Sequence, residues 1–371
     1  MEETLDTEQI KRTPFYKYHL EAGAKMVPFA GYVMPIQYSG ITAEHLAVRR
    51  NVGLFDLSHM GEFDIGGPGA LDFIQKMTVN DASVLEPGQI QYSCMCYDDG
   101  GIVDDLLVYR LEDRYMLVVN AANLKKDFDW LHDHLDGDVS LTNHSDETGL
   151  LAIQGPNAQK VVEEFSDYDF ESMPYYHVTT IDIGRHRVLV SRTGYTGEDG
   201  FELYIPRDAA DDVWAVVMAA GKKHGIELIG LGARDSLRLE MKMALYGNDI
   251  DQTTTPIEAG LGWIVKFDKG DFIARDILLR QKEAKPDRRL VCLELEGRAF
   301  PRHGYDLLSE GEVVGRVTSG TFSPSLEKPI ALGYLPRGLS KAGHRVEVKI
   351  RDRLFPATVV KPPFYKEATH R

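Results

Sequence analysis

The chain contains 371 residues, of which 43% are hydrophobic and 27% are charged, an ordinary composition for a globular protein of two or three domains. No run of about eighteen apolar residues occurs, so we expect no membrane span and no membrane partner. The formal net charge is −15, and nucleic acid is therefore not an expected partner.

Extended and helical patterns alternate in the first two-thirds of the chain. A strand is predicted to end at residues 64–67, and residues 103–111 and 114–120 are predicted to form a hairpin. Apolar residues at helical spacing, with Pro156 in a first turn and Gly225 at a helix end, predict helices over residues 69–77, 123–135, 156–165 and 208–223. A further helix opens at residues 232–235 and carries Leu237, Met241 and Leu245.

The pattern changes near residue 285. Beyond it, short runs of β-forming residues are separated by Gly and Pro, at residues 290–295, 311–317, 345–350 and 358–361. Such runs are typical of a small antiparallel barrel or sandwich. We therefore expect one region over residues 1–285 and a C-terminal β domain over residues 286–371.

The negative charge is unevenly distributed between these two parts. Residues 280–371 carry a net charge of +7, whereas residues 1–279 carry −22. This asymmetry predicts that the C-terminal part can attract an acidic partner. A surface that is simply kept soluble by its charge is the alternative.

Cysteine and histidine usage indicates neither disulfides nor a metal site. Only three cysteines occur, and two of them, Cys94 and Cys96, form a Cys-x-Cys pair on one predicted strand, so reduced thiols are expected. The acidic start of the chain, residues 1–6, does not resemble an export signal, and a cytoplasmic location is expected. The twelve histidines show no paired ligand spacing, and we predict no metal.

Two adjacent acids, Asp104 and Asp105, lie in an otherwise apolar run that follows the turn at Gly100 and Gly101. Side chains alternate between the two faces of a strand, so the two carboxyls are predicted to point in opposite directions. An unpaired buried carboxylate is costly, which suggests that one acid enters a pocket and the other meets water. An acidic pair that only closes a turn is the alternative reading of this stretch.

Several further motifs occur in one order along the chain. They are TPFY (13–16), VPFAGY (27–32), MP (34–35), EHLAVR (44–49), GLFDLSHMGE (53–62), AIQGP (152–156), SRTGYTGEDGFE (191–202), GLGARD (230–235) and TSGTFSP (318–324). In this order and at this spacing, residues 11–365 closely resemble the aminomethyltransferase family, the T-proteins of the glycine cleavage system.

The resemblance implies an α+β fold. Two interleaved domains of antiparallel sheets with helices would precede a C-terminal barrel like a jelly roll. It also implies transfer of a one-carbon unit from an S-aminomethyl-dihydrolipoyl carrier protein to tetrahydrofolate, with release of ammonia. The alternatives are a related folate-dependent demethylase and a folate-binding assembly factor without enzymatic activity.

The resemblance further implies which residues form the site. Asp105 is expected to be catalytic, beside the folate N10, where a carboxylate stabilises developing positive charge. Glu202 is expected to grip adjacent N–H donors of the pterin, with an exposed strand residue as the alternative. Asp104 fits better as an outward or turn-closing acid. Further folate-binding positions implied by the resemblance are Tyr195, Tyr92, Tyr175, Tyr176, Met60 and Asn120.

Arg234 has an argument of its own. A cation in the first turn of a helix opposes the helix dipole, so its placement suggests that it faces an anion. The glutamate carboxylate of folate is one candidate, because a guanidinium binds carboxylates bidentately. An ion pair with an acid of the same chain is the other.

Overall fold

The computed structural model describes residues 10–370, and the prediction about residues 1–6 lies outside them. The helices in the described part of the chain are α1 Tyr16–Glu21, α2 Ile41–Arg50, α3 Ala70–Met77, α4 Leu124–Asp133, α5 Ala158–Val162, α6 Ala210–Lys223, α7 Leu231–Glu240 and α8 Arg275–Ala284. None of these helices is long and apolar enough to cross a bilayer.

The strands fall into two sheets, a short hairpin and a barrel. In chain order they are β1 Lys25–Phe29, β2 Tyr32–Gln37, β3 Gly53–Asp56, β4 Gly61–Gly66, β5 Ile90–Cys96, β6 Ile102–Arg110, β7 Tyr115–Val119, β8 Ser140–Asn143, β9 Thr148–Gln154, β10 Val178–Ile183, β11 His186–Ser191, β12 Gly200–Pro206, β13 Glu227–Leu228, β14 Arg288–Leu295, β15 Asp306–Ser309, β16 Glu312–Ser323, β17 Lys328–Pro336, β18 Arg345–Ile350 and β19 Arg353–Val360.

The two sheets are interleaved along the chain, as predicted. One has the order β10-β11-β12-β9-β3-β13, and the other has the antiparallel order β5-β6-β7-β4-β8. The chain leaves the first sheet after β3, builds the second with β4 to β8 and returns with β9. A shared apolar core joins the sheets and includes Leu57, Tyr109, Leu150, Tyr204 and Leu237.

The C-terminal part is a closed antiparallel barrel in the order β14-β17-β16-β15-β18-β19, with β14 pairing β19. The mixed α+β architecture and the barrel confirm the predicted fold class. The domain boundary near residue 285 stays a prediction. Helix α8 ends at Ala284, just before β14 starts the barrel.

Two predicted helices are too long. Helix α5 covers only Ala158–Val162 of the predicted residues 156–165, so Pro156 precedes the helix and is not in its first turn. Helix α7 opens where predicted but ends at Glu240, so Met241 and Leu245 are not on it. Lys242 has a positive φ of 58°, a left-handed conformation that stops the helix and turns the chain. The segment after this turn, residues 241–244, lines the central pocket described below.

Candidate active site

A pocket of about 440 Å³ lies between the two sheets, α7 and the segments around residues 241–244 and 260–263. Eight of the nine site residues expected from the sequence line it: Asp105, Glu202, Tyr195, Arg234, Tyr92, Asn120, Met60 and Tyr176. The ninth, Tyr175, is not among the lining residues. Its ring packs edge-on against Tyr176 at 4.6 Å and lies 5.4 Å from His370, so it supports the pocket wall from behind.

Asp105 lies on β6, and its half-buried side chain lines this pocket. Its Oδ2 accepts a hydrogen bond from the Tyr92 hydroxyl at 2.9 Å, and its Oδ1 accepts one from the Asn120 amide at 2.9 Å. Burial and the negative charge of Asp104 raise the pKa of Asp105 to about 7. The carboxyl is therefore poised to change charge near neutral pH.

The prediction that Asp104 faces outward is wrong, because Asp104 is completely buried. Its carboxylate accepts hydrogen bonds from the Asn120 backbone N–H at 3.0 Å, the Asn120 amide at 2.9 Å and the Asn123 amide at 2.6 Å. The alternation of faces was predicted correctly. However, the turn at residues 121–123 and helix α4 cover the face that the sequence left to water.

A third buried carboxyl, Asp127 on α4, interacts electrostatically with Asp104, and neither of its oxygens accepts a hydrogen bond from an N–H or O–H donor of residues 10–370. Burial and the negative charge of Asp104 raise the pKa of Asp127 to about 11. We infer that Asp127 is protonated and that its hydroxyl donates to the Asp104 carboxylate. The amide donors around Asp104 identify that residue as the ionised member of the pair. Hydrogen bonds connect Asp104, Asn120 and Asp105, and the charge interaction with Asp127 extends this network.

Glu202 lies at the deep end of the pocket, on β12, and is only 7% exposed. Burial raises its pKa, whereas a hydrogen bond from the Thr193 hydroxyl and the charge of Arg234 lower it. The exposed strand position considered as an alternative is therefore not observed. A Cβ at Gly194 in the adjacent loop would lie 2.0 Å from Oε1 of Gln154, so a side chain there would displace the buried Gln154 amide.

The guanidinium of Arg234 stacks over the ring of Tyr195 at 4.7 Å. Its charge acts on Glu202, yet no carboxylate of residues 10–370 forms an ion pair with it within 4.0 Å. The intramolecular ion pair considered from the sequence is thus absent from the described part of the chain. The Tyr195 hydroxyl donates to the Ala244 carbonyl and fixes the stacked ring in place.

Sequence reasoning missed several residues of the pocket. Thr193 belongs to the quoted SRTGYTG motif, and its spacing from Glu202 could have drawn attention to it. Trp263, which is 65% exposed at the rim and stacks on Tyr92 at 6.3 Å, carried no such signal. Lys242 and Met243 also line the pocket, and they were misplaced by the overlong helix.

Comparison with known proteins gives two family matches. Residues 15–269 match the GCVT N-terminal domain, and residues 288–366 match the glycine cleavage T-protein C-terminal barrel domain. Within residues 10–370, no group of three or more His, Cys, Asp or Glu side chains is arranged to hold a metal.

Similar proteins include an aminomethyltransferase of Halothermothrix orenii, 48% identical over 356 residues, and one of Bacteroides thetaiotaomicron, 51% identical over 361 residues. Each alignment covers 96% of this chain and 100% of the relative. The crystal structure of glycine cleavage system aminomethyltransferase T from Bartonella henselae has a TM-score of 0.90 at 35% identity. That match covers 97% of this chain and 99% of the other.

Proposed function

Since this chain belongs to the glycine cleavage T-protein family of aminomethyltransferases, we propose that it transfers the one-carbon unit of an S-aminomethyl-dihydrolipoyl carrier protein to tetrahydrofolate. The carbon forms bonds to N5 and N10 of the folate, while its bonds to nitrogen and sulfur break. The products are 5,10-methylenetetrahydrofolate, ammonia and the dihydrolipoyl carrier protein. The observation that carries the proposal is that Asp105 and Glu202 line one pocket in different surroundings. Asp105 is affected by the negative charge of Asp104, whereas Glu202 is affected by the positive charge of Arg234.

In this proposal Asp105 is the catalytic residue. Positive charge develops on the transferred carbon as its bond to the leaving nitrogen breaks, and a carboxylate fixed beside that carbon stabilises the charge. The hydrogen bonds from Tyr92 and Asn120 hold the Asp105 carboxyl in one orientation, so little reorganisation is needed during the reaction. Both neighbours are therefore assigned positioning roles.

Glu202 is proposed to hold the pterin. Its two oxygens can accept from two adjacent N–H donors, and the Thr193 hydroxyl fixes the carboxylate from the side. We assign Arg234 to the same deep end, because its charge acts on Glu202. The glutamate carboxylate that the sequence suggested for Arg234 would then point toward the exposed rim. Tyr195, Tyr176 and Met60 are proposed as the walls against which the flat ring system packs.

Two alternatives to this function were considered from the sequence. A related demethylase would take its one-carbon unit from a different donor, and an assembly factor would bind folate without catalysing a reaction. The relatives named above, which align over nearly the whole chain, are aminomethyltransferases, and this favours the carrier-protein donor. The cytoplasmic location expected from the sequence is likewise a proposal. The proposal includes no resident metal.

The test is to incubate the protein with aminomethylated lipoyl carrier protein, with and without tetrahydrofolate, and to measure ammonia and methylenetetrahydrofolate. We expect stoichiometric, folate-dependent release of both products. In a parallel reaction, a small N-methylated amine replaces the carrier protein, and the products measured are 5-methyltetrahydrofolate and the demethylated amine. Activity with that amine alone would favour the demethylase. Folate binding without any product would favour the assembly factor.

A further inference from the structure

Lys126 on α4 is half-buried, and its ammonium connects three parts of the structure. It donates to the backbone carbonyl of Val103 on β6 and to the Tyr246 hydroxyl at 3.1 Å. The ammonium also lies 4.2 Å from the centre of the Tyr246 ring, which is a cation–π contact. The Tyr246 hydroxyl in turn donates to the Ile102 carbonyl at 3.0 Å. Two consecutive carbonyls are therefore held at the start of β6, just before the two acids of that strand.

The same ammonium is the counter-charge of the carboxyl network. It lies 3.5 Å from Oδ1 of Asp127, and its positive charge also acts on Asp104. Within residues 10–370, no other Lys, Arg or His side chain lies within 4.0 Å of a carboxyl oxygen of Asp104, Asp105 or Asp127. A nearby cation favours the ionised form of a carboxyl, and it does so most strongly where water is excluded. Lys126 therefore offsets part of the negative charge that surrounds Asp105.

The other groups in direct reach of the network carry no charge at pH 7. The Asn120 and Asn123 amides are neutral, and burial raises the pKa of each titratable neighbour above its ordinary value. These neighbours are Tyr92 and Cys94 on β5, Tyr97, Tyr176, Tyr195 and Tyr246. The further charged side chains that line the pocket are Glu202, Arg234 and Lys242. Replacing Lys126 therefore removes the positive charge that is in direct contact with the network.

We propose that Lys126 is a positioning residue of the reaction, which fixes the start of β6 and supplies the positive charge that balances Asp104 behind the catalytic Asp105. This inference rests on the proposed function, because it requires Asp105 to act as a carboxylate. Lys126 is not among the residues that line the pocket, so we assign it no contact with substrate. Its removal should leave folate binding intact and should act on the catalytic step through Asp105.

The experiment compares three variants of Lys126. Lys126→Met removes both the charge and the donor, Lys126→Gln removes the charge but keeps a donor, and Lys126→Arg keeps both. Lys125→Met is the matched control, because Lys125 is the preceding residue of α4 and pairs with Asp129 on the surface. The turnover number is measured against pH with aminomethylated carrier protein and saturating tetrahydrofolate. Calorimetry gives the Kd of tetrahydrofolate for each variant.

Lys126→Met should lower the turnover number about tenfold and keep the wild-type folate Kd. Removing a cation makes full ionisation of the network harder, so the midpoint of the pH–rate profile should rise by about half a pH unit or more in Lys126→Met and in Lys126→Gln. Lys126→Arg and Lys125→Met should keep the wild-type midpoint. Destabilisation alone reduces the amount of folded enzyme but does not move this midpoint, so the profile separates positioning from folding.

Three results would overturn the proposal. They are a midpoint that stays or falls when the charge of Lys126 is removed, an equal rise in Lys125→Met, and a weaker folate Kd with an unchanged turnover number. If Lys126→Met does not fold, Lys126→Gln and Lys126→Arg still decide between these outcomes, because they differ in charge and both retain a donor. A wild-type protein that releases no ammonia with carrier and folate would contradict the proposed function itself, and this inference with it.

Discussion

The side-chain amide of Asn120 lies 2.9 Å from Oδ1 of Asp105 and joins that residue to a second buried acid. The same amide nitrogen lies 2.9 Å from Oδ1 of Asp104. Two neighbouring residues of β6 on opposite faces of the sheet are therefore coupled through Asn120, which follows the end of the adjacent strand β7. The protonation of Asp105 thus depends on a carboxylate that does not line the pocket.

This coupling predicts a pH dependence. Burial and the charge of Asp104 raise the pKa of Asp105 to about 7, and the proposed reaction uses the ionised carboxyl. The turnover number should therefore increase with pH through a midpoint near 7. The change Asp104→Asn removes the like charge, so the midpoint should fall by about one pH unit or more. The check is a pH–rate profile at saturating substrates, and an unshifted midpoint in the variant would show that the two acids are not coupled.

The pair formed by Asp127 and Asp104 gives a second prediction. Because Asp127 is protonated, Asp127→Asn retains a donor toward Asp104 and should preserve stability and the pH profile. Asp127→Leu removes the donor and should lower the free energy of unfolding by about 1–3 kcal/mol. Urea unfolding measures the difference. Asp129→Asn, at an exposed position of the same helix, is the control. Equal destabilisation by Asn and Leu would refute the carboxyl–carboxylate hydrogen bond.

Glu202→Gln should weaken folate binding about tenfold to a hundredfold, because one of two acceptor oxygens is replaced by a donor. The matched control is Glu62→Gln. Glu62 is also buried, and burial together with the charge of Glu202 raises its pKa well above the ordinary value, which favours its neutral form. Calorimetric titration with tetrahydrofolate compares the two variants. An unchanged Kd for Glu202→Gln would exclude the pterin contact.

Arg49 connects two buried acids that help to hold the body against the barrel and the C-terminal segment. It lies 2.7 Å from Glu198 and 2.9 Å from Glu240, and Glu240 also accepts from the Ser323 hydroxyl of β16. Arg49→Met leaves both carboxylates without their cation and should cost about 3–5 kcal/mol in the free energy of unfolding. Arg353→Met, at an exposed barrel position, should change stability little.

The same network predicts acid sensitivity. Burial alone would raise the pKa of Glu240, but contacts with His45 and Arg49 lower it from 4.5 to about 2. Its contribution to stability is therefore present above pH 4.5 and is lost as the pH falls from 4.5 toward 2. Arg49→Met should flatten this part of the stability curve. An acid dependence identical to that of the wild type would contradict the assignment.

Much of the site could be predicted from the sequence because ordered motifs identify a family and strand alternation gives side-chain direction. The opposite facing of Asp104 and Asp105 followed from that alternation. Burial of Asp104 did not, because a two-residue period cannot reveal that helix α4, whose residues come twenty positions later, covers the outer face. The acidic pair with Asp127 arises only from this tertiary contact.

The rim of the pocket was also beyond sequence reasoning. Apolar spacing continued smoothly past Glu240, but the backbone turns at Lys242, and tertiary contacts there override the local helical pattern. Trp263 lies in a loop without regular structure, so neither periodicity nor a motif marked it. The uneven charge of the chain was visible from composition. The few cations of residues 280–371 that line the cavity beside α8 are brought together only by the packing of the barrel there.

The most direct test of the account is a single-turnover measurement of ammonia release with Asp105→Asn, using aminomethylated carrier protein and saturating tetrahydrofolate. The neutral amide preserves the shape of Asp105 but cannot stabilise positive charge as a carboxylate does. The account predicts an unchanged folate Kd and a rate about 10²–10³-fold below that of the wild type. A variant that binds folate normally and releases ammonia at the wild-type rate would remove Asp105 from the chemistry.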